Sequence, residues 1–340
     1  MNIDLNVLAE KAGIHFYGYQ PKFALDEAQM AHDSQPSMIT TANGGIPWFL
    51  TNFFDTKIIE VLLTPVKAVQ VVGEETKKGD WTTNTAMFIV QENTGTVSAY
   101  GDNSNSGSSD VNYNFPERQS FHYQTHIKYG QRELDMAGLA RIPLATAKTN
   151  SAIIRLNKFQ NSSYFFGVSG LMNYGLFNDP NLSAPITPSV KAAGGVAWSL
   201  STTTGLEVYA DIQTLYSRLA TQTNGNVDTS SKMVLAMSPT SETALLKTTQ
   251  FNVNVMDNLK KNFPNMRIET APEYATASGQ FVQLILEEFE GVRTAFCAFT
   301  EKLRAFPVIV GNSNFSQKMA QGTFGCIIVR PMMIVSMLGV

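Results

Sequence analysis

Histidines are the natural first place to look for chemistry, and this chain has four of them, His15, His32, His122 and His126. His122 and His126 stand four apart, a spacing that on a helix would bring two imidazoles toward one metal ion. The residues around them, FHYQTHIKY, alternate as a strand instead. At strand rise the two rings lie about 13 Å apart, too far to share an ion. They read as polar residues on an exposed strand face. Asp102-x-Ser104-x-Ser106-Gly107 opens like a calcium loop, but its twelfth position is Tyr113 rather than a bidentate Glu, so it reads as a flexible linker. Ser169, in Gly167-Val168-Ser169-Gly170, lacks the second glycine position of a nucleophile elbow. Glu287, Glu288 and Glu290 cluster with no His or Lys set against them by sequence. Glu288 and Glu290 share a strand face and should repel, which describes a solvated edge. Lys77 and Lys78 read as solvating charges. Neither a G-x-x-x-x-G-K-[ST] phosphate loop nor a G-x-G-x-x-G turn is present. No catalytic, cofactor-binding or metal-binding residue is therefore assigned and no cofactor is expected. The enzyme reading left open is a hydrolase with scattered active-site residues in the unit near residues 195–305.

The elements that would position any site are informative where the motifs are not. The 340 residues suffice for two domains or one elaborated one, and 44% hydrophobic against 16% charged is a globular balance that needs no disulfide or metal. A net charge of -3 gives no sign of a nucleic-acid-binding surface, so any nucleic acid is enclosed rather than gripped. Cys297 and Cys326 sit in apolar strand-like runs, as small buried hydrophobes of a reducing compartment. The start MNIDLNVLAEKAG has neither a basic n-region nor an apolar h-region. The apolar run TFGCIIVRPMMIVSMLGV is split by Arg330 and Pro331 and reads as two buried strands meeting at a bend, not as a membrane span.

The stretch from Trp81 to Tyr129 reads as a long hairpin. In its second arm Phe121, Tyr123, Thr125, Ile127 and Tyr129 form one face, and His122, Gln124, His126 and Lys128 the other; Val111, Tyr113 and Phe115 keep the parity of the first set. The tip GDNSNSGSSD, residues 101–110, has no apolar residue. An aromatic face on a two-stranded ribbon needs a cover, from its own body or from a neighbouring subunit. Residues 1–50 mix aromatics with Gly and Pro like an arm, and Trp48, Phe49, Phe53 and Phe54 require docking. A helix is expected from Asn52 to Leu62, and a strand from Val66 to Gly73. Beyond the hairpin, helices are expected at Gln131 to Ala140, at Leu144 to Phe166 with the stripe Ala145, Ala152, Leu156, Phe159 and Phe166, and at Gly205 to Thr223 with Leu206 on its apolar side. An α/β alternation follows. Lys232 to Met237 is a buried strand, Ser238-Pro239 opens a helix, Val255 to Asn262 is a helix and Met266 to Thr270 a strand. Gln280 to Phe289 and Val292 to Phe299 then pair around Glu290-Gly291, and Phe306 to Val310 leads to the closing strands.

This order of parts resembles the major capsid proteins of tailed bacteriophages, an α+β architecture of the Hong Kong 97 type. The resembling pieces are VGEETKKGDW, KYGQRELDMAGLA, FFGVSGLMNYGLFNDPNLS and GTFGCIIVRPMMIVSML. The resemblance implies an N-terminal arm (1–50), a first peripheral-domain part (51–80), an extended loop (81–129) lying over an adjacent subunit, a peripheral domain with its spine helix (130–194), an axial domain (195–305) and return strands (306–340). It implies an icosahedral shell of hexamers and pentamers around double-stranded DNA, assembled in the host cytoplasm, with portal, scaffolding and decoration proteins as partners and no membrane. Some members crosslink a Lys to an Asn with a Glu assisting, but no Asn and Glu match Lys77 or Lys78. Few charged or helical residues precede the arm, so a separate scaffolding protein or a longer precursor is expected. A bacterial nanocompartment (encapsulin-like) shell is the alternative on the same fold. On this reading the aromatic face of Phe121 and Tyr123 holds subunits together.

Overall fold

The computed structural model describes residues 65–248 and 253–340. The arm over residues 1–50 and the helix expected from Asn52 to Leu62 lie outside these residues. Helix α1 (Ala68–Val72) replaces the strand expected from Val66 to Gly73. Its β-branched run favours a strand locally, but tertiary contacts decide otherwise. The Asn161 side-chain oxygen accepts from the amides of both Lys67 and Ala68 at 2.9 Å, which satisfies the helix start. Gly73, at φ 88°, ends the helix in the left-handed region and returns its amide to the Val69 carbonyl.

The chain continues through β1 (Glu75–Lys77), β2 (Thr85–Met87), β3 (Val90–Thr96), β4 (Ser108–Asn114), β5 (Glu117–Gln119) and β6 (Phe121–Gly130). Helices α2 (Gln131–Leu139) and α3 (Leu144–Phe166) follow, then a long loop and α4 (Gly205–Gln222). The last part runs β7 (Met233–Met237), α5 (Pro239–Ala244), α6 (Val255–Asn262), β8 (Met266–Thr270), β9 (Ala275–Thr276), β10 (Gly279–Leu286), β11 (Glu288–Phe289), β12 (Val292–Arg293), β13 (Ala295–Ala305), β14 (Ile309–Val310), β15 (Asn314–Ile328) and β16 (Ile334–Leu338). Thr204 and Glu207 cap α4 reciprocally, and Ser238 caps α5 with Pro239 at its first position.

Two sheets organise these elements. In the first, β1, β13, β15 and β14 follow in order, and β6 joins the far side of β15. The ladder from Phe121↔Thr323 to Gly130↔Asn314 takes the whole of β6 into the body. The hairpin expected to run to Tyr129 is therefore shorter. Its paired arms are β2 with β5 and β3 with β4, and β6 belongs to the sheet. The aromatic face of β6 is covered by its own subunit, contrary to the sequence reading. Tyr123 lies 4.4 Å from Phe159 between ring centres, and Phe121 lies 5.9 Å from the same ring. Ile127 is buried with Ala152, Leu156 and Met319. The stripe expected on α3 holds only in its first half. Phe159 and Phe166 stay partly exposed, while Gln160, Asn161, Ser163, Tyr164 and Phe165 are buried. A polar face can be buried there because every member finds a partner: Gln160 donates to Tyr164, Ser163 meets Thr323, and Asn161 donates to Glu273.

The second sheet has the order β16-β10-β7-β8, with β9 beside β10. Strand β7 is buried on both faces, which explains its unbroken apolar run. Met233, Leu235 and Met237 face α4 and α6, where Val208, Ile212, Leu215, Leu219 and Leu259 complete a core. Leu206, expected on that side, is exposed. Val234 and Ala236 face the other way, into a core shared with Tyr164, Phe165, Cys297, Cys326 and α1. The long antiparallel pair expected around Glu290-Gly291 shrinks to β11 and β12. Its outer parts already have partners on both sides: β10 lies between β7 and β16, and β13 between β1 and β15. Consequently β13 leaves the 195–305 unit for the first sheet, and β16 returns from the C-terminus to the second. Only β14 is regular within Phe306 to Val310.

Candidate assembly surface

The ribbon formed by β3 and β4 is the least covered part of the described chain: each β4 residue is exposed, as are all of β3 except Thr94. Residues opposite each other in an antiparallel ladder share a face. The register Gln91↔Tyr113, Asn93↔Val111 and Gly95↔Ser109 puts Tyr113 and Val111 on one face. Glu92↔Asn112 and Thr94↔Asp110 put two carboxylates on the other. Ile89, Val97, Tyr100 and Phe115 extend the exposed apolar surface at either end, with Tyr113 58% exposed and Val97 wholly so. Contiguous exposed apolar surface rimmed by polar residues marks an interaction site. The tip is shorter than expected, because Ser108, Ser109 and Asp110 pair within β4.

The ribbon's root is anchored in the body of the subunit. Arg118 on β5 forms an ion pair with Asp179 at 2.7 Å, with both side chains buried, and stacks on the Tyr174 ring. Gln119 accepts from Asn173 and donates its amide to the Met172 carbonyl. Phe88 packs on Phe296 beside Phe324 and Ile327. The loop that receives these groups turns at Gly167, φ 66°, where an added Cβ would run into the Asn173 carbonyl oxygen. The sequence offered no periodic signal for the Arg118–Asp179 clamp, since its partners are 61 residues apart.

The residues singled out for chemistry do not converge. His122 meets Trp81 edge-on at 4.6 Å and bonds Thr300, and burial holds its imidazole below the usual range. His126 stands exposed on the same strand face. Asp102 accepts from Tyr100 at the tip. The Glu cluster is not the unpaired edge expected: Glu287 pairs with Arg267 and Glu288 with Lys232, cations distant in sequence, while Glu290 sits in the turn at φ 53°. Lys77 meets Asp80 and Glu301, and Lys78 lies over the Phe296 ring. Among the described residues no His, Cys, Asp or Glu group could hold a metal ion, and no helix is long and apolar enough to cross a membrane. A cleft of about 350 Å³ near Phe177 and Ser183 contains Asp179, but that carboxylate is committed to Arg118, and no base accompanies Ser183 there.

Comparison with known proteins agrees with this geometry. The chain aligns with the capsid of Myoviridae phage XM1 at a TM-score of 0.73 and 14% identity, covering 88% of this chain and all of that one. It aligns with a Gordonia phage Cozz chain at 0.59 and 10% identity, covering 90% and 98%. The capsid of the native GTA particle aligns at 0.62 and 8% identity, covering 89% and 99%. No curated protein sequence matches the chain. The fold is of the Hong Kong 97 type. The sequence model of the Pa193 gp26 major capsid protein family matches residues 37–339, nearly the whole chain, and the chain belongs to that family.

Proposed function

We propose that copies of this major capsid protein close into hexamers and pentamers of an icosahedral head, assembled in the host cytoplasm around double-stranded DNA. The observation that carries this reading is the ribbon, whose Val111–Tyr113 face has no cover among the described residues. The first sheet with α3 acts as the peripheral domain and α3 as its spine. The second sheet with α4, α5 and α6 acts as the axial domain at the capsomer centre, and β3 with β4 is the extended loop over the adjacent subunit. The role is structural rather than enzymatic. DNA is enclosed without sequence-specific contacts, in keeping with a net charge of -3. Portal, scaffolding and decoration proteins complete the partners. Expression of the full chain with its scaffolding partner, followed by sedimentation and electron microscopy, tests the reading. Closed shells are expected; monomers under every condition would overturn it.

A further inference from the structure

The ribbon is acidic throughout. Between Lys78 and Arg118 the chain contains no lysine or arginine, yet it contains Asp80, Glu92, Asp102, Asp110 and Glu117. Glu92 and Asp110 are diagonal neighbours on the face opposite Val111 and Tyr113, about 7–8 Å apart at the backbone. Neither forms an ion pair among the described residues. Val90, Thr94 and Thr96 share their face and give it some apolar body.

The first sheet carries the complement. Its Ile127–Met319 face lies under α3, so His126, Lys128, Lys318 and Arg304 occupy the opposite face. Lys128 and Lys318 are diagonal neighbours across β6 and β15, again about 7–8 Å apart at the backbone. Lys318 lies over the Phe306 ring, and Arg304 lies over Phe306 and Trp81, which holds both cations against the sheet. No carboxylate pairs with Lys128, Lys318 or Arg304 among the described residues; Glu301, at the edge of this face, is taken by Lys77.

We infer that the acidic face of the ribbon seats on this cationic sheet face of a neighbouring copy, with Glu92 and Asp110 set against Lys128 and Lys318. The inference rests on the shell reading and names the receiving surface. Two carboxylates and two ammonium groups, unpaired among the described residues and with the same diagonal spacing, supply the charge complementarity that fixes register and partner choice. The ribbon's other, apolar face is left for a second contact. Mutually screened charges also make the contact dependent on ionic strength.

Charge exchange tests this in the full chain. E92K/D110K and K128E/K318E should each reduce particle yield at least tenfold at low salt, and the chain carrying all four changes should recover it. Melting curves of the subunits serve as the folding control. If a reversal variant fails to fold, E92Q/D110N and K128Q/K318Q replace it, and each should flatten the salt dependence of assembly. Reversal variants that assemble like the parent, or a fourfold variant no better than either pair, would overturn the inference and leave the shell reading standing. A parent chain that forms no particles would bring down both.

Discussion

Exchanging two aromatic sites on one stretch separates assembly from folding. Tyr113 and Tyr123 lie ten residues apart, both on strands, yet their surroundings differ. Tyr113 is 58% exposed on the ribbon. Tyr123 packs on Phe159, and its hydroxyl donates to Gln321 at 2.7 Å. Burial pushes its phenol far above the usual range, with the nearby Glu75 carboxylate adding to the shift. Tyr123→Ser removes a packed ring and a partly buried hydrogen bond, a loss of about 3 kcal/mol. For a chain of 340 residues that lowers Tm by roughly 4 °C. Tyr113→Ser removes little from the isolated subunit, within about 0.5 kcal/mol. A docked Tyr113 would bury roughly 100 Å² more, worth ~2.5 kcal/mol per contact, or on the order of 50-fold in each contact's equilibrium constant. Calorimetry of the subunit and sedimentation of particles read the two effects. Tyr113→Ser should melt like the parent and fail to form shells. A lowered Tm with normal shells would refute the assignment of the ribbon to a neighbour.

The Arg118 clamp should be costly to break from one side. Arg118→Met leaves Asp179 buried and unpaired, and chemical denaturation should show a loss of about 3–5 kcal/mol. Glu273 is raised above its usual range by burial, and one of its oxygens has no partner. A carboxyl with a raised folded pKa adds stability below its unfolded value and loses it as pH rises through the folded one. Stability should therefore fall above about pH 4.5 through the raised value, and Glu273→Gln should abolish that slope in denaturation curves taken across the range. Cys297 and Cys326 face each other in the ladder, both fully buried, and burial raises the Cys297 thiol. A maleimide should label neither thiol in the folded subunit and both in denaturant; rapid labelling of the folded chain would contradict this burial.

Elements whose pattern is local were legible in the sequence. Leu144–Phe166, Val255–Asn262 and Met266–Thr270 coincide with their expected bounds, because caps, glycines and prolines mark their ends. Where long-range pairing decides, the sequence misled. The alternation in β6 identified its two faces, but alternation does not say which element covers them. β15, nearly two hundred residues later, takes its edge, and α3 takes its aromatic face. The same limit hid α1, whose start depends on Asn161, and sent β13 and β16 to unexpected sheets. On the assembly surface, the parity of Val111 and Tyr113 was readable. The cationic face was not, because its members come from β6, β13 and β15 and meet only through the register.

A particle reconstruction that resolves side chains would place the ribbon against its neighbour or against its own subunit. In that reconstruction β3 and β4, residues Val90–Thr96 and Ser108–Asn114, should lie across an adjacent copy while Arg118 stays bound to Asp179 in its own subunit. A ribbon folded back on its own subunit, with no adjacent copy within contact of Val111 or Tyr113, would contradict it.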